Sequence, residues 1–172
     1  DPLRNAVAYG PTTNHLDALT SLGGEPMHFG QVVPFQAVIT LDGGPGPENG
    51  TLEFLAAWST HTTSNDELGY DKNYMVLCAF VDTADLATYD PHRNARVESY
   101  RAELADAGTI NEQIRGTFRV TGLDVGDRVT VEIWVALKNA APRNFGGTIA
   151  SELLGAWKPL NPQVPLATGN QT

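Results

Sequence analysis

Apolar and polar residues alternate in short runs along most of this chain, and clusters of Gly, Pro, Asp and Asn separate the runs. That is the signature of β-strands joined by turns. Thr51–Thr60 spaces Leu52, Phe54, Ala56 and Trp58 two residues apart. Val129–Leu137 sets Val129, Val131, Ile133, Val135 and Leu137 on one face and Thr130, Glu132, Trp134 and Ala136 on the other. It reads as an antiparallel strand with one buried and one solvated face. Gln113–Thr121 carries Ile114, Phe118 and Val120, and Gly146–Trp157 carries Ile149, Leu153 and Leu154. Gln31–Leu41 is rich in β-branched residues, but Pro34 lacks the N–H that a ladder uses, which predicts an edge strand or a bulge. Tyr74–Val81 is a short, continuous apolar run and predicts a buried central strand. Ala95–Ala107 fits two periods: Val97, Tyr100 and Leu104 at helical spacing, Tyr100, Ala102 and Leu104 at strand spacing. Its neighbours favour the strand.

Seven to eight such strands without a long helical period predict an all-β fold, an antiparallel β-sandwich of immunoglobulin-like or jelly-roll type. Residues 1–28 read as an irregular N-terminal segment packed on the domain, 29–159 as the sandwich, and 160–172, with Pro162, Pro165 and Gly169, as a linker-like tail. That tail, together with Asp1 in place of a methionine, reads as a piece of a longer protein.

At Gly116–Leu137 (GTFRVTGLDVGDRVTVEIWVAL) an apolar strand runs into Gly-Leu-x-x-Gly-Asp and then an alternating strand. This resembles the connection between two late strands of fibronectin type III and related immunoglobulin-like modules. The resemblance implies that Leu123 plugs the end of a sandwich and that Gly126 is the turn glycine. Those families usually carry Tyr soon after that glycine, where this chain has Arg128-Val129-Thr130. The likeness implies a scaffold rather than an activity, and such modules serve as spacers or adhesive units of secreted and surface proteins.

Composition narrows the chemistry. The chain has 172 residues, 17 Gly, 11 Pro and a net charge of −9. An acidic surface disfavours nucleic-acid phosphates, which need a basic partner to release counterions. No apolar run is long enough for a membrane helix, so no membrane insertion is expected. The single Cys78 lies in an apolar run and reads as a core thiol.

No Gly-x-Ser-x-Gly elbow, His-Glu-x-x-His or Cys-x-x-Cys is present, and Gly43–Gly50 matches no phosphate-binding fingerprint. Ser59 and His61 share a strand face, in a stretch whose hydroxyls read more simply as partners of backbone and water. Calcium is the sharpest remaining signal, because hard cations want six to eight oxygens and Asp-rich loops supply them. Asp82, Asp85 and Asp90 in DTADLATYD are the candidate ligands, against a simpler reading as solvated Asx-turns. Carbohydrate recognition needs flat aromatic rings beside polar groups, and Trp58, Trp134, Trp157, Tyr70 and Tyr89 are the aromatic candidates. Of these, Tyr70 and Tyr89 lie in polar loops and are expected to be exposed, with Asp66 and Asp71 beside Tyr70 as ligand-binding candidates. A Lys–Asn crosslink through Lys72, Lys138 or Lys158 is a further option, since it would need one of them buried beside an Asn and an acid.

The expectation is a non-enzymatic β-sandwich binding or spacer module of a secreted or cell-surface protein, whose partner is carbohydrate or another surface protein. A calcium-dependent carbohydrate-binding or adhesion domain, using loops 61–73 and 82–94, is the first alternative. A small β-sandwich hydrolase or lyase is the second.

Overall fold

The computed structural model describes residues 30–40, 50–64, 67–81, 94–139, 149–158 and 161–165. Within them eight strands form two antiparallel sheets: β1 (Val32–Thr40), β2 (Gly50–Ser59), β3 (Val76–Val81), β4 (Arg96–Ala105), β5 (Gln113–Leu123), β6 (Arg128–Ala136), β7 (Ser151–Lys158) and the short β8 (Asn161–Pro165). One sheet has the order β1-β6-β3 and the other β4-β5-β2-β7-β8. The fold is a β-sandwich. The expected N-terminal segment and the Gly/Pro-rich loop at 42–49 lie outside the described residues. Part of the stretch read as a linker, Asn161–Pro165, pairs with β7.

The core forms where the inward faces of the two sheets meet. Val33, Ile39, Val129, Val131, Ile133 and Val135 come from the smaller sheet, and Phe54, Trp58, Ile114, Phe118 and Val120 from the larger. Trp58 is the central wedge, with the Phe35 ring 5.7 Å away across the sandwich and Phe118 at 6.2 Å within its own sheet. The two-residue period of β2 and β5 therefore does what periodicity predicts: it drives one face of each strand out of water.

Among the described residues β1 pairs only with β6, so Pro34 sits on an edge strand, and the stretch 95–107 forms the strand β4 (Arg96–Ala105) rather than a helix. Two expectations are corrected. Among the described residues β3 is an edge strand of the smaller sheet, not a central one; Tyr74 before it is 62% exposed and Leu77 39%. Its apolar run packs Val76, Ala79 and Val81 on the core, while Cys78 is only half-buried and stands opposite Trp134. Conversely, β6 is the central strand of its sheet and is buried on both faces: Thr130 and Glu132, assigned to solvent by alternation, are 3% and 0% exposed. A strand paired on both sides is crowded by the side chains of two neighbours, here Gln36 on β1 and Phe80 on β3.

The open side of the sandwich between β3 and β4 is closed by Tyr100. Its ring stacks on Phe118 at 5.9 Å and its hydroxyl donates to the Leu77 carbonyl at 3.4 Å.

Candidate functional site

The densest polar cluster lies where the connection after β2 crosses the end of the sandwich. Gly69 N donates to Thr60 O (2.9 Å) and Tyr70 N to Ser59 O (3.0 Å), so the segment folds back onto the end of β2. Asp71 N then donates to Ala136 O (2.8 Å), and Lys138 N to Gly69 O (3.0 Å), which ties the same segment to the end of β6 in the other sheet. Gly69 is required by contact: a Cβ there would sit 2.2 Å from the Ser59 carbonyl oxygen. Asp71 Oδ1 accepts from both the backbone N and the side-chain Nδ2 of Asn73 at 2.9 Å, an Asx-turn that redirects the chain into β3.

A second turn supplies the acid. Asp106 and Gly108 have positive φ (52° and 77°), and Thr109 O accepts from Glu112 N at 3.1 Å. This coil swings the Glu112 carboxylate inward, where the residue is 1% exposed. Oε1 accepts from the Thr60 hydroxyl and from Lys72 Nζ, each at 2.9 Å, and Oε2 accepts from Gly108 N at 2.7 Å. Burial pushes the Glu112 carboxyl up, but the Gly108 N–H, the Lys72 ammonium and the Thr60 hydroxyl outweigh it and hold the group down at about 2. Lys72 moves in the opposite direction, raised by its bond to Glu112.

Around this pair the contacts continue outward. Thr60 Oγ1 lies 3.0 Å from His61 Nδ1, and His61 Nε2 lies 3.9 Å from Glu67 Oε1. Lys138 Nζ meets Glu67 Oε2 at 3.3 Å, and that hydrogen bond lowers the Glu67 carboxyl. A hydroxyl has one proton, so with Thr60 donating to Glu112 the His61 contact is satisfied by an Nδ1–H donated to Oγ1. The cavity lined by Thr60, Glu67, Tyr70, Asp71, Lys72, Asn73, Glu112 and Lys138 measures about 50 Å³. It accommodates water, not an organic substrate.

Of the ligand-binding candidates, Tyr70 and Asp71 fall here, beside Lys72 and Lys138 of the crosslink option. Both are buried, Tyr70 at 5% and Asp71 at 6%, so the expectation of an exposed Tyr70 ring is not met. That ring packs edge-on against Phe35 at 5.6 Å, and burial raises its hydroxyl pKa. Asp66, Tyr89 and the candidate calcium ligands Asp82, Asp85 and Asp90 lie outside the described residues. Among the described residues no group of three or more His, Cys, Asp or Glu is placed to hold a metal ion. For the crosslink option, Lys72 and Lys138 each meet a carboxylate, Glu112 and Glu67, rather than the carboxamide such a bond consumes. The cluster's centre, Glu112, was missed. A lone Glu in a polar turn carries no local signal, and its partners Thr60 and Lys72 stand 52 and 40 residues away.

The other aromatic candidates separate by environment. Trp58 is core at 1% exposure. Trp134 lies against Phe80 with ring centroids 5.7 Å apart and donates Nε1–H to Glu132 at 3.2 Å. Trp157 lies on the outer face of the larger sheet and is partly exposed. Comparison of the chain with protein-family models, with curated proteins and with solved structures gives no match.

Proposed function

We propose that this chain is a non-enzymatic β-sandwich module of a larger secreted or cell-surface protein, a binding or spacer unit related to fibronectin type III and immunoglobulin-like domains. The observation that carries the reading is the state of Glu112. The best-placed acid of the polar cluster spends both oxygens on Thr60, Lys72 and Gly108 and is held ionised. A general acid needs a proton to give near neutral pH, and a general base needs a lone pair aimed at a substrate. Glu112 offers its lone pairs to the fold itself, and tying sheet to loop to sheet is what a spacer or presenting scaffold needs.

The connection from β5 to β6 supports the kinship. It passes from one sheet to the other, with Leu123 1% exposed at the sandwich end and Gly126 at a φ of 93° in the turn. Asp127 Oδ2 accepts from Asp124 N at 2.7 Å and clamps that turn.

The test is to assay the purified domain against ester, glycoside and uronide substrates beside Thr60→Val and Glu112→Gln variants. No turnover above buffer is expected. Turnover by the parent domain that disappears in either variant while circular dichroism is unchanged would overturn the reading. In cells of the source organism, an antibody to the domain should label the intact surface; labelling only after permeabilisation would remove the surface assignment.

A further inference from the structure

We propose that the outer face of the five-stranded sheet is a binding strip for a neutral carbohydrate, with Trp157 as its stacking platform. The inference rests on the reading of the chain as a non-enzymatic binding module and names the ligand class and the site.

The strip is built by register. Glu53 of β2 pairs with Arg119 of β5 on one side and with Trp157 of β7 on the other, and Ser99 of β4 pairs with Arg119. Trp157 Nε1–H donates to Glu53 Oε2 at 2.9 Å. Glu53 Oε1 accepts from Arg119 Nη1 at 3.3 Å, and Arg119 Nε meets Glu98 Oε2 at 2.6 Å. One polar row thus crosses four strands, about 14 Å at the spacing of neighbouring strands. Arg119 is 40% exposed, Glu98 45% and Glu53 24%, so the row is open to solvent.

Two rungs away a second row runs parallel: Arg115 Nη2 meets Asp106 Oδ2 at 3.2 Å, and Gln113 Nε2 donates to Glu152 Oε1 at 3.0 Å. Between the rows lies the rung of Arg101, Thr117, Leu55 and Gly155, in which Gly155, next to Trp157 on β7, has no side chain and Leu55 offers an apolar one. A Cβ on Gly155 would lie 3.9 Å from Cζ3 of Trp157, so the indole lies across the glycine along the sheet. Its Nε1–H bond to Glu53 fixes it there.

This is the chemistry that recognises a sugar. The apolar face of a pyranose stacks on a flat ring, and its hydroxyls exchange hydrogen bonds with planar carboxylate, guanidinium and carboxamide groups. Charge turns away an anionic sugar. Glu53, Glu98, Glu103, Asp106 and Glu152 outnumber Arg101, Arg115 and Arg119 on this face, and Arg115 and Arg119, which could clamp an anion, are already engaged by carboxylates.

The experiment is calorimetric titration of the domain with neutral β-glucan, xylan, mannan and chitin oligosaccharides, repeated at high salt. Saturable binding that persists in salt is expected, because a neutral ligand gains nothing from long-range charge. Trp157→Ala should weaken it by about tenfold or more, and Trp157→Phe, which keeps a ring on the platform, should weaken it less. Tyr74→Ala, an exposed aromatic on the other sheet's edge, should leave it unchanged. Binding indifferent to Trp157→Ala and Trp157→Phe would overturn the site. No binding to any of these sugars at millimolar concentration would overturn the ligand class and leave the spacer reading standing. A protein partner crosslinking at the Trp157 row in place of sugar would overturn it likewise. Chromatography of the recovered oligosaccharide tests the underlying reading separately: cleaved sugar would show an enzyme.

Discussion

Thr60 and Glu112, 52 residues apart, hold each other at three points. Thr60 N donates to the Glu112 carbonyl at 3.1 Å, and the Thr60 hydroxyl lies 3.0 Å from that carbonyl and 2.9 Å from Oε1. The pair locks the end of β2 to the start of β5 and gives the crossing segment Gly69–Asn73 a fixed surface to fold against.

Removing the acid should therefore be felt through its donors. Glu112→Ala leaves the Gly108 N–H, the Thr60 hydroxyl and the Lys72 ammonium without the carboxylate that each meets. Unfolding in urea should show a loss of about 2–4 kcal/mol. Glu112→Gln, which keeps an acceptor oxygen but no charge, should lose less. An unchanged midpoint for Glu112→Ala would mean that the cluster contributes nothing to the fold.

The same group sets a pH window. The folded value of about 2 lies below the ordinary 4.5, so on acidification the unfolded chain takes up the proton first. Its stabilisation is complete above about 4.5 and is lost as pH falls towards 2. The lowered Glu67 carboxyl acts in the same direction. Lys72 is raised above 10.5, so its share is complete below that value and is lost as pH climbs beyond it. Urea midpoints measured from pH 2 to 6 should fall steeply in the acid range, and the slope should flatten in Glu112→Gln.

Gly69→Ala should be among the most damaging small substitutions. Its Cβ would meet backbone at 2.2 Å (Ser59 O) and 2.5 Å (Thr60 C), where no side chain can swing aside. The two hydrogen bonds that seat the segment on β2 must lengthen, at a cost of about 3 kcal/mol. Hydrogen exchange at Gly69 and Tyr70 should accelerate before that of the β5 amides. Equal protection in parent and variant would contradict the close approach.

Cys78 should react slowly in the folded protein. Burial first, and the charge of Glu132 second, raise its thiol pKa above the ordinary 9.0, and the thiolate is the reacting species. Labelling with a chromogenic disulfide at pH 7 should be slow in buffer and fast in urea. Rapid native labelling would show that Cys78 is open.

The sandwich was legible because burial writes a period. Phe54, Trp58, Phe118, Val131 and Ile133 stand at every second position, and each lies in the core. Pro34 announced an edge strand by the donor it lacks. The same rule misread β3 and β6, since strand order, not composition, decides which strand has two neighbours. The polar cluster was less legible. Asp71 and Tyr70 showed themselves in a polar loop, but Glu112 and Thr60 are ordinary residues until folding brings them within 2.9 Å.

Fold class, inward faces and most strand boundaries follow from the order of residues alone, because alternation and turn chemistry are local and act residue by residue. Assembly of the two sheets is what buries β6 on both faces and packs Tyr70 inward while Trp157 lies out along the sheet. It also decided that Glu112 is spent on holding the sandwich end together. These depend on which strands become neighbours and in what register. Register is fixed by the simultaneous burial of many distant side chains, so no single stretch of the chain carries it.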